Sequence, residues 1–383
     1  MNKLVLTSVC LLLTIYNLSA QYKETSYPSQ KLGETRDVVF HVPKNYDAKK
    51  KYPLIVVLDA DYLFDMVMAA ARFFRHNDEM PESIIVGIRQ EGHRNSDCNY
   101  NDDTGFPKDK GNNFFEFIGM ELIPSLAEKY SLAGFNIIIG HGLTANFTNY
   151  YLFKDRPLFD AYINIEPAFA PNMENYLSSR LSTLTSQKFY HLIAADKNRD
   201  PETASRITEL HHLLETVENE KLRYHFYTIE DSDSYTVAAY AVPRSLYRIF
   251  DLYRPIDPGQ YKQEVLAYDK GPVYEYLEKK YNAIAATYHV QKDTRLNDIM
   301  AIYAASIAKE DLVSLEHLAR LGKKEFSGSM LGYFFEAEFY EKSGNPKKAL
   351  RTYEKAFLMK EIDFLTKDMM QERIFTIKKD MGW

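Results

Sequence analysis

Ile137-Ile138-Ile139-Gly140-His141-Gly142-Leu143-Thr144-Ala145 is the stretch that decides the fold. The β-branched run from Asn136 to Ile139 reads as a buried strand. The glycines after it permit a sharp turn, and the apolar segment through Phe147, Tyr150 and Leu152 reads as a helix returning along that strand. Outward from this unit, similar short runs recur at Val38 to Val42, Leu54 to Leu58, Ile84 to Ile88, Ala161 to Ile165, Tyr190 to Ala194 and Tyr224 to Ile229. Between them lie stretches with apolar residues at helical spacing, such as Phe114 to Tyr130 and Pro201 to Val217. Strand and helix therefore alternate, which builds a mostly parallel sheet with helices on both faces. Asp200-Pro201-Glu202 reads as a helix start, with Asp200 as N-cap and proline in the first turn.

The pattern breaks at Tyr253-Arg254-Pro255-Ile256-Asp257-Pro258-Gly259, and no further strand is predicted. From Leu331-Gly332-Tyr333 through Ala337, Tyr340 and Gly344 to Ala349, Tyr353 and Ala356, small residues stand where two helices would cross. This spacing resembles a tetratricopeptide repeat, and Asn297 to Arg320 reads as a looser second hairpin. Two hairpins are too few for an independent solenoid, so the tail is expected to pack on the larger unit.

With 383 residues, 45% hydrophobic, the chain is long enough for one large α/β core and a second small unit. A net charge of −6 without a long basic run excludes the electrostatic footprint of a nucleic-acid binder. Lys3, the apolar run Leu4 to Tyr16 and Leu18-Ser19-Ala20 follow the order of a signal peptide, with cleavage expected near Ala20. The run is short for a spanning helix, which needs ~20 residues. A soluble, exported protein, periplasmic or extracellular, is expected, with no membrane-spanning segment. Val9 is too large for the residue before a lipidated Cys10, and beyond the signal only Cys98 remains, so no intrachain disulfide is expected.

Strand, sharp turn and helix around Gly142 is the context of a nucleophile elbow, in which G-x-S-x-G lifts a serine above the sheet. Here the serine position is Gly142 and the last small position is Thr144. Flanking motifs follow in order: Leu32-Gly33-Glu34-Thr35-Arg36, Val42-Pro43-Lys44-Asn45-Tyr46, Tyr52-Pro53 through Leu58-Asp59-Ala60-Asp61, Val86-Gly87-Ile88, Arg94 with Asp97, and Glu121-Leu122-Ile123-Pro124. Together they resemble the putative esterase family of α/β hydrolases, which includes esterase D and the siderophore esterases, over about Leu32 to Phe250. The tail is similar to a helical extension found in some bacterial members. The resemblance implies an α/β-hydrolase fold over residues 21–255, after a signal at 1–20, and a small all-α helical-hairpin unit, tetratricopeptide-like, at 256–383.

Carried over by position, the resemblance puts the nucleophile on Gly142 and the oxyanion donors on the backbone of Leu143 and of Ala60 or Asp61. The general base falls on Ser234, in Ser234-Tyr235-Thr236-Val237, and no histidine occurs between His225 and His289 to replace it. The acid falls on Asp196, with Asp200 as the alternative. With nucleophile and base absent, the usual ester hydrolysis is not expected, since triad members act as a unit. The cleft candidates for binding are Asp61, Arg94, Asp97, His141 and Leu143. Arg94 would meet a ligand carboxylate or pair with Asp97, and His141 is expected to pack beside the turn.

Other motifs carry less. Asp97-Cys98-Asn99-Tyr100-Asn101-Asp102-Asp103 begins like a calcium loop but lacks the sixth-position glycine and the glutamate at position twelve. Glu230-Asp231-Ser232-Asp233-Ser234 reads as a solvated loop, and Cys98 as an idle thiol rather than a substitute nucleophile. No metal or cofactor is implied. The favoured reading is a catalytically silent esterase relative that binds an unknown small molecule or protein at the old cleft, or a protein at the helical tail. The alternatives are a hydrolase with rebuilt chemistry, using Asp61, Asp196 or Asp233 on a bound water, and a passive core that presents the tail.

Overall fold

A computed structural model describes residues 22–197 and 200–382. The signal-peptide reading lies outside the described residues. Eight strands form one sheet: β1 (Lys23–Ser29), β2 (Glu34–His41), β3 (Tyr52–Val57), β4 (Ile84–Ile88), β5 (Leu132–His141), β6 (Ala161–Ile165), β7 (Lys188–Lys197) and β8 (Leu222–Asp233). Their order is β1-β2-β4-β3-β5-β6-β7-β8. β1, β2 and β4 are joined by antiparallel pairing, and from β4 across to β8 every pairing is parallel.

Parallel strands need helical crossovers, and these cover both faces. Alternation along each strand sorts the side chains. Ile55, Val57, Ile137, Ile139, Ile163 and Ile193 pack under the helices Ala60–His76 and Val237–Ile249. Leu54, Val56, Ile138, Tyr162, Tyr190 and Leu192 pack on the opposite side with Phe114, Phe147, Leu177 and Leu210. Seven of the strands were expected from their β-branched and aromatic runs, with ends shifted by a few residues, whereas β1 was not.

Two expected helices are built differently. The Phe114 to Tyr130 segment is an α-helix to Glu116, a π-helical turn over Phe117–Leu122 and a second α-helix over Ile123–Lys129. Pro124 explains the break, since it has no N–H for the Met120 carbonyl four residues back and its ring crowds that carbonyl. The helix after the Gly142 turn is α-helical only over Leu143–Thr148 and continues as a 3-10 helix over Asn149–Phe153. Asp200 does cap its helix, accepting from the Glu202 N–H.

Beyond Tyr253 the ordered structure is helical, with long helices at Tyr274–Tyr288, Leu296–Ala308, Leu312–Glu325, Leu331–Lys342, Pro346–Phe357 and Lys367–Asp380. Gly332 allows close approach between two of them: a Cβ there would lie 2.3 Å from the Lys323 nitrogen. The first long helix is not confined to the tail. Its Ile284 and Tyr288, with Val290 just beyond, are buried in the same cluster as Ile137 and Phe250. Among the described residues no helix is long and apolar enough to cross a membrane.

Candidate active site

β3 and β5 run side by side, Val57 opposite Ile139, and each leads at its C-terminal end into a helix. Ala60 and Leu143 therefore open their helices at the same edge of the sheet. Gly142 makes the β5 turn with φ 61° and ψ −117°, a conformation costly for other residues. Its N–H donates to the Ile165 carbonyl at 2.9 Å, and its own carbonyl accepts from Asn146 and Ala168 at 3.1 and 3.0 Å. The turn is thereby fixed between β5, β6 and the helix.

Above Gly142 lies a guanidinium. A Cβ on Gly142 would meet Arg94 Nη2 at 3.3 Å. Arg94 donates from Nε to Asp59 Oδ1 at 2.7 Å, and from Nη2 to Asp59 Oδ2 at 3.1 Å and to the His141 carbonyl at 2.7 Å. Asp59 is 1% exposed. It also accepts from Thr144 Oγ1 at 2.7 Å and from the Tyr62 hydroxyl at 3.1 Å, and Gln90 Oε1 receives its N–H. Asp59 itself has a left-handed φ of 50°, so this buried carboxylate organises the β3 turn and the β5 turn together.

Tyr62 and His141 complete the rim, with the hydroxyl 2.9 Å from Nδ1. Burial, and then the charge of Arg94, push the His141 imidazole below its ordinary value, against the pull of Asp59 and the Ser234 backbone. Burial first, then Asp59, hold the Tyr62 phenol well above its ordinary value. Desolvation works against the Arg94 charge, but the bonds to Asp59 outweigh it and raise the guanidinium further. The edge thus presents a neutral imidazole, a neutral phenol and a paired arginine.

The remaining candidates are distributed around this centre. Ser234 lies in the loop after β8, its Oγ 3.3 Å from Glu166 Oε2. Glu166, at the end of β6, is 4% exposed with φ 46°, and its Oε1 accepts from the Ala195 N–H. The carboxylate that reaches Ser234 is therefore Glu166. Asp196 instead accepts from the N–H groups of Asp231 at 2.9 Å and Ser232 at 3.1 Å, so it caps the β8 turn. Asp61 accepts from the Gln90 N–H at 2.8 Å and stands 3.6 Å from Arg89. Asp97 is buried and paired with Arg36 and Gln90, so the expected Arg94–Asp97 pair is replaced by Arg94–Asp59 and Arg36–Asp97. Asp233 caps its own turn through Tyr235 and Thr236.

Cys98 is buried, and burial first, with Asp59 and Asp97 adding to it, pushes its thiol up, which suppresses the nucleophilic thiolate. In the calcium-like loop, Asn101 Oδ1 accepts from the Asp103 and Thr104 N–H groups. Among the described residues no group of three or more His, Cys, Asp or Glu is placed to hold a metal ion. Asp59, Tyr62 and Glu166 were not singled out as site residues from the sequence. Leu58-Asp59-Ala60-Asp61 had carried only a motif match, and Glu166 gains its place from three strands distant in sequence.

Residues 29–161 match the family described as Putative esterase. An uncharacterised protein from Capnocytophaga ochracea is 30% identical, with a TM-score of 0.83, the match covering 94% of this chain and all of that one. An IroE-like serine hydrolase from Shewanella oneidensis is 18% identical with a TM-score of 0.60, covering 79% and 99%. The siderophore hydrolase EstB from Aspergillus nidulans is 17% identical with a TM-score of 0.51, covering 60% and 95%. A comparison with curated proteins gives no match. The sheet order, the turn at Gly142 and these similarities lead to one conclusion: the chain belongs to the putative esterase family and has the α/β-hydrolase fold.

Proposed function

We propose that this protein is an exported esterase-family member that has given up Ser–His ester hydrolysis and serves as a binding module for a small molecule or a protein. The observation that carries this reading is the guanidinium of Arg94 above Gly142. The turn that lifts a serine in the family bears no side chain here, and the nearest group to where one would stand is a cation already neutralised by buried Asp59. Ser234 at the base position supports the same reading, because a hydroxyl beside Glu166 cannot take up a proton near neutral pH. Water activation by carboxylates is less favoured, since Asp61, Asp196 and Asp233 each accept main-chain hydrogen bonds at turns. Residues 1–20 act, in this reading, as an export signal, 21–255 as the esterase-like unit and 256–383 as the helical tail.

The test is turnover of p-nitrophenyl acetate. The natural chain is expected to show only the rate of its buffer. Gly142→Ser combined with Ser234→His is expected to yield measurable acyl transfer that Glu166→Gln reduces and Asp196→Asn does not. Turnover by the natural chain that disappears on replacing one residue of the cleft would overturn the reading.

A further inference from the structure

Away from Gly142, a groove of about 550 Å³ runs between the Lys110–Leu122 helical segment and the chain from Tyr150 to Leu158. Its volume lies in the range of small-molecule sites. The floor is aromatic: Phe115 stacks on Tyr151 with ring centroids 4.3 Å apart and planes 18° from parallel, and Tyr151 is 1% exposed. Phe106 and Phe153 close one end, edge to face at 5.4 Å.

The rim is cationic. Lys154 holds its ammonium 5.0 Å over the Phe115 ring, and Arg156 lines the groove beside it. Neither pairs with a carboxylate among the described residues. The one acid of the lining, Glu116, is bound to Lys31 at 2.7 Å. A groove with two uncompensated cations stands out on a chain of net charge −6. The wall is the π-helical turn Phe117–Leu122, and Gly119 within it leaves space that a side chain would fill.

We propose that this groove binds a small apolar carboxylate, its apolar body against Phe106, Phe115 and Phe153 and its anion between Lys154 and Arg156. The apolar lining favours burial of an apolar body, and the two cations supply charge-assisted hydrogen bonds to a carboxylate. The site is independent of the chemistry at Gly142. It would stand even if the natural chain proved an active esterase.

Titration calorimetry of the full chain with 2-naphthoate tests the proposal, with 2-naphthylmethanol as the uncharged comparison. Saturable binding of 2-naphthoate is expected, about tenfold tighter than the alcohol, as for one charge-assisted contact. Gly119→Leu should abolish it. A Cβ at Gly119 meets Leu158 and Tyr151 at 3.6 and 3.8 Å, ordinary contact distances, so the fold accepts the change while the groove fills. Arg156→Gln, an exposed change with no threat to folding, should weaken binding about tenfold. No binding of 2-naphthoate, equal binding of the alcohol, or binding unchanged by Gly119→Leu would each overturn the proposal. So would concentration-dependent dimerisation lost in Gly119→Leu without naphthoate binding, which would make a second copy the occupant.

Discussion

Two glycines two residues apart have different reasons to be glycine. At Gly140 a Cβ would lie 2.6 Å from the Ala145 nitrogen and from the carbonyl of Thr144, all main chain. At Gly142 the nearest atom is Arg94 Nη2 at 3.3 Å, the end of a flexible side chain, and the obstacle is φ of 61°. Backbone atoms fixed in a strand and a helix cannot yield, whereas a guanidinium can swing by a few tenths of an ångström. Left-handed strain at a non-glycine residue costs about 1–3 kcal/mol. Gly142→Ala is therefore expected to lose about that much in urea unfolding, and Gly140→Ala to lose more, because the turn itself must move. Equal losses would show that Arg94 is held as rigidly as main chain. The difference matters for function: a serine at residue 142 is sterically obtainable, so its absence is not imposed by the fold.

Strands explain which elements were legible. β3, β4 and β6 are buried along their whole length, and such strands appear in sequence as unbroken β-branched runs. β1 has none of this signal: Lys23–Ser29 is an edge strand, mostly exposed, containing Pro28. Edge strands are defined by their neighbour rather than by their own pattern. The candidate site divides in the same way. Gly142, His141 and Ser234 could be read from local motifs, but Glu166 and Asp59 could not, since their partners come from other turns brought together by strand order. β7 carries a further polar residue that periodicity hides. His191 is fully buried, neither ring nitrogen has a hydrogen-bond partner among the described residues, and its ring lies 5.1 Å from that of His225. Burial first, then His225 and Arg248, push its imidazole well below the ordinary value. The unfolded chain takes up this proton near pH 6.5, whereas the native state refuses it until much lower pH. Stability from this residue is therefore complete above about pH 7.5 and lost as pH falls through 6.5, by about 1.4 kcal/mol per pH unit for one proton. Urea midpoints should fall between pH 7.5 and pH 5. In His191→Leu that fall should shrink by about 1–2 kcal/mol, and an unchanged fall would assign the acid sensitivity to other groups.

At the scale of the whole molecule, the question is whether the helical tail is an appendage or part of the core. Tyr288 decides it by geometry. Its ring is fully buried, set edge-on to Phe135 at 5.2 Å and tilted against Phe250 at 5.1 Å, and its hydroxyl donates to the Ile249 carbonyl at 2.7 Å. The helix Tyr274–Tyr288 thus closes the layer that also holds Ala60–His76 and Val237–Ile249. A second fastening lies at Asp78, which accepts from Lys292 and Arg295, while both cations flank the Tyr253 ring. Lys280, buried from the same helix, donates to the Leu252 carbonyl at 3.1 Å. Removing residues 257–383 would expose Phe135, Phe250 and Tyr253 together and leave the Ile249 carbonyl without its donor. Loss of one buried aromatic ring alone costs about 3–5 kcal/mol, against a total stability of about 5–15 kcal/mol for ordinary domains. A chain ending at Ile256 is accordingly expected to aggregate or melt without a cooperative transition by circular dichroism. Tyr288→Ala in the full chain should remain folded but less stable by about 3–5 kcal/mol. A sharp, near-natural transition in the truncated chain would instead mark the tail as a separable carrier, and partner capture would then be sought on residues 257–383 alone.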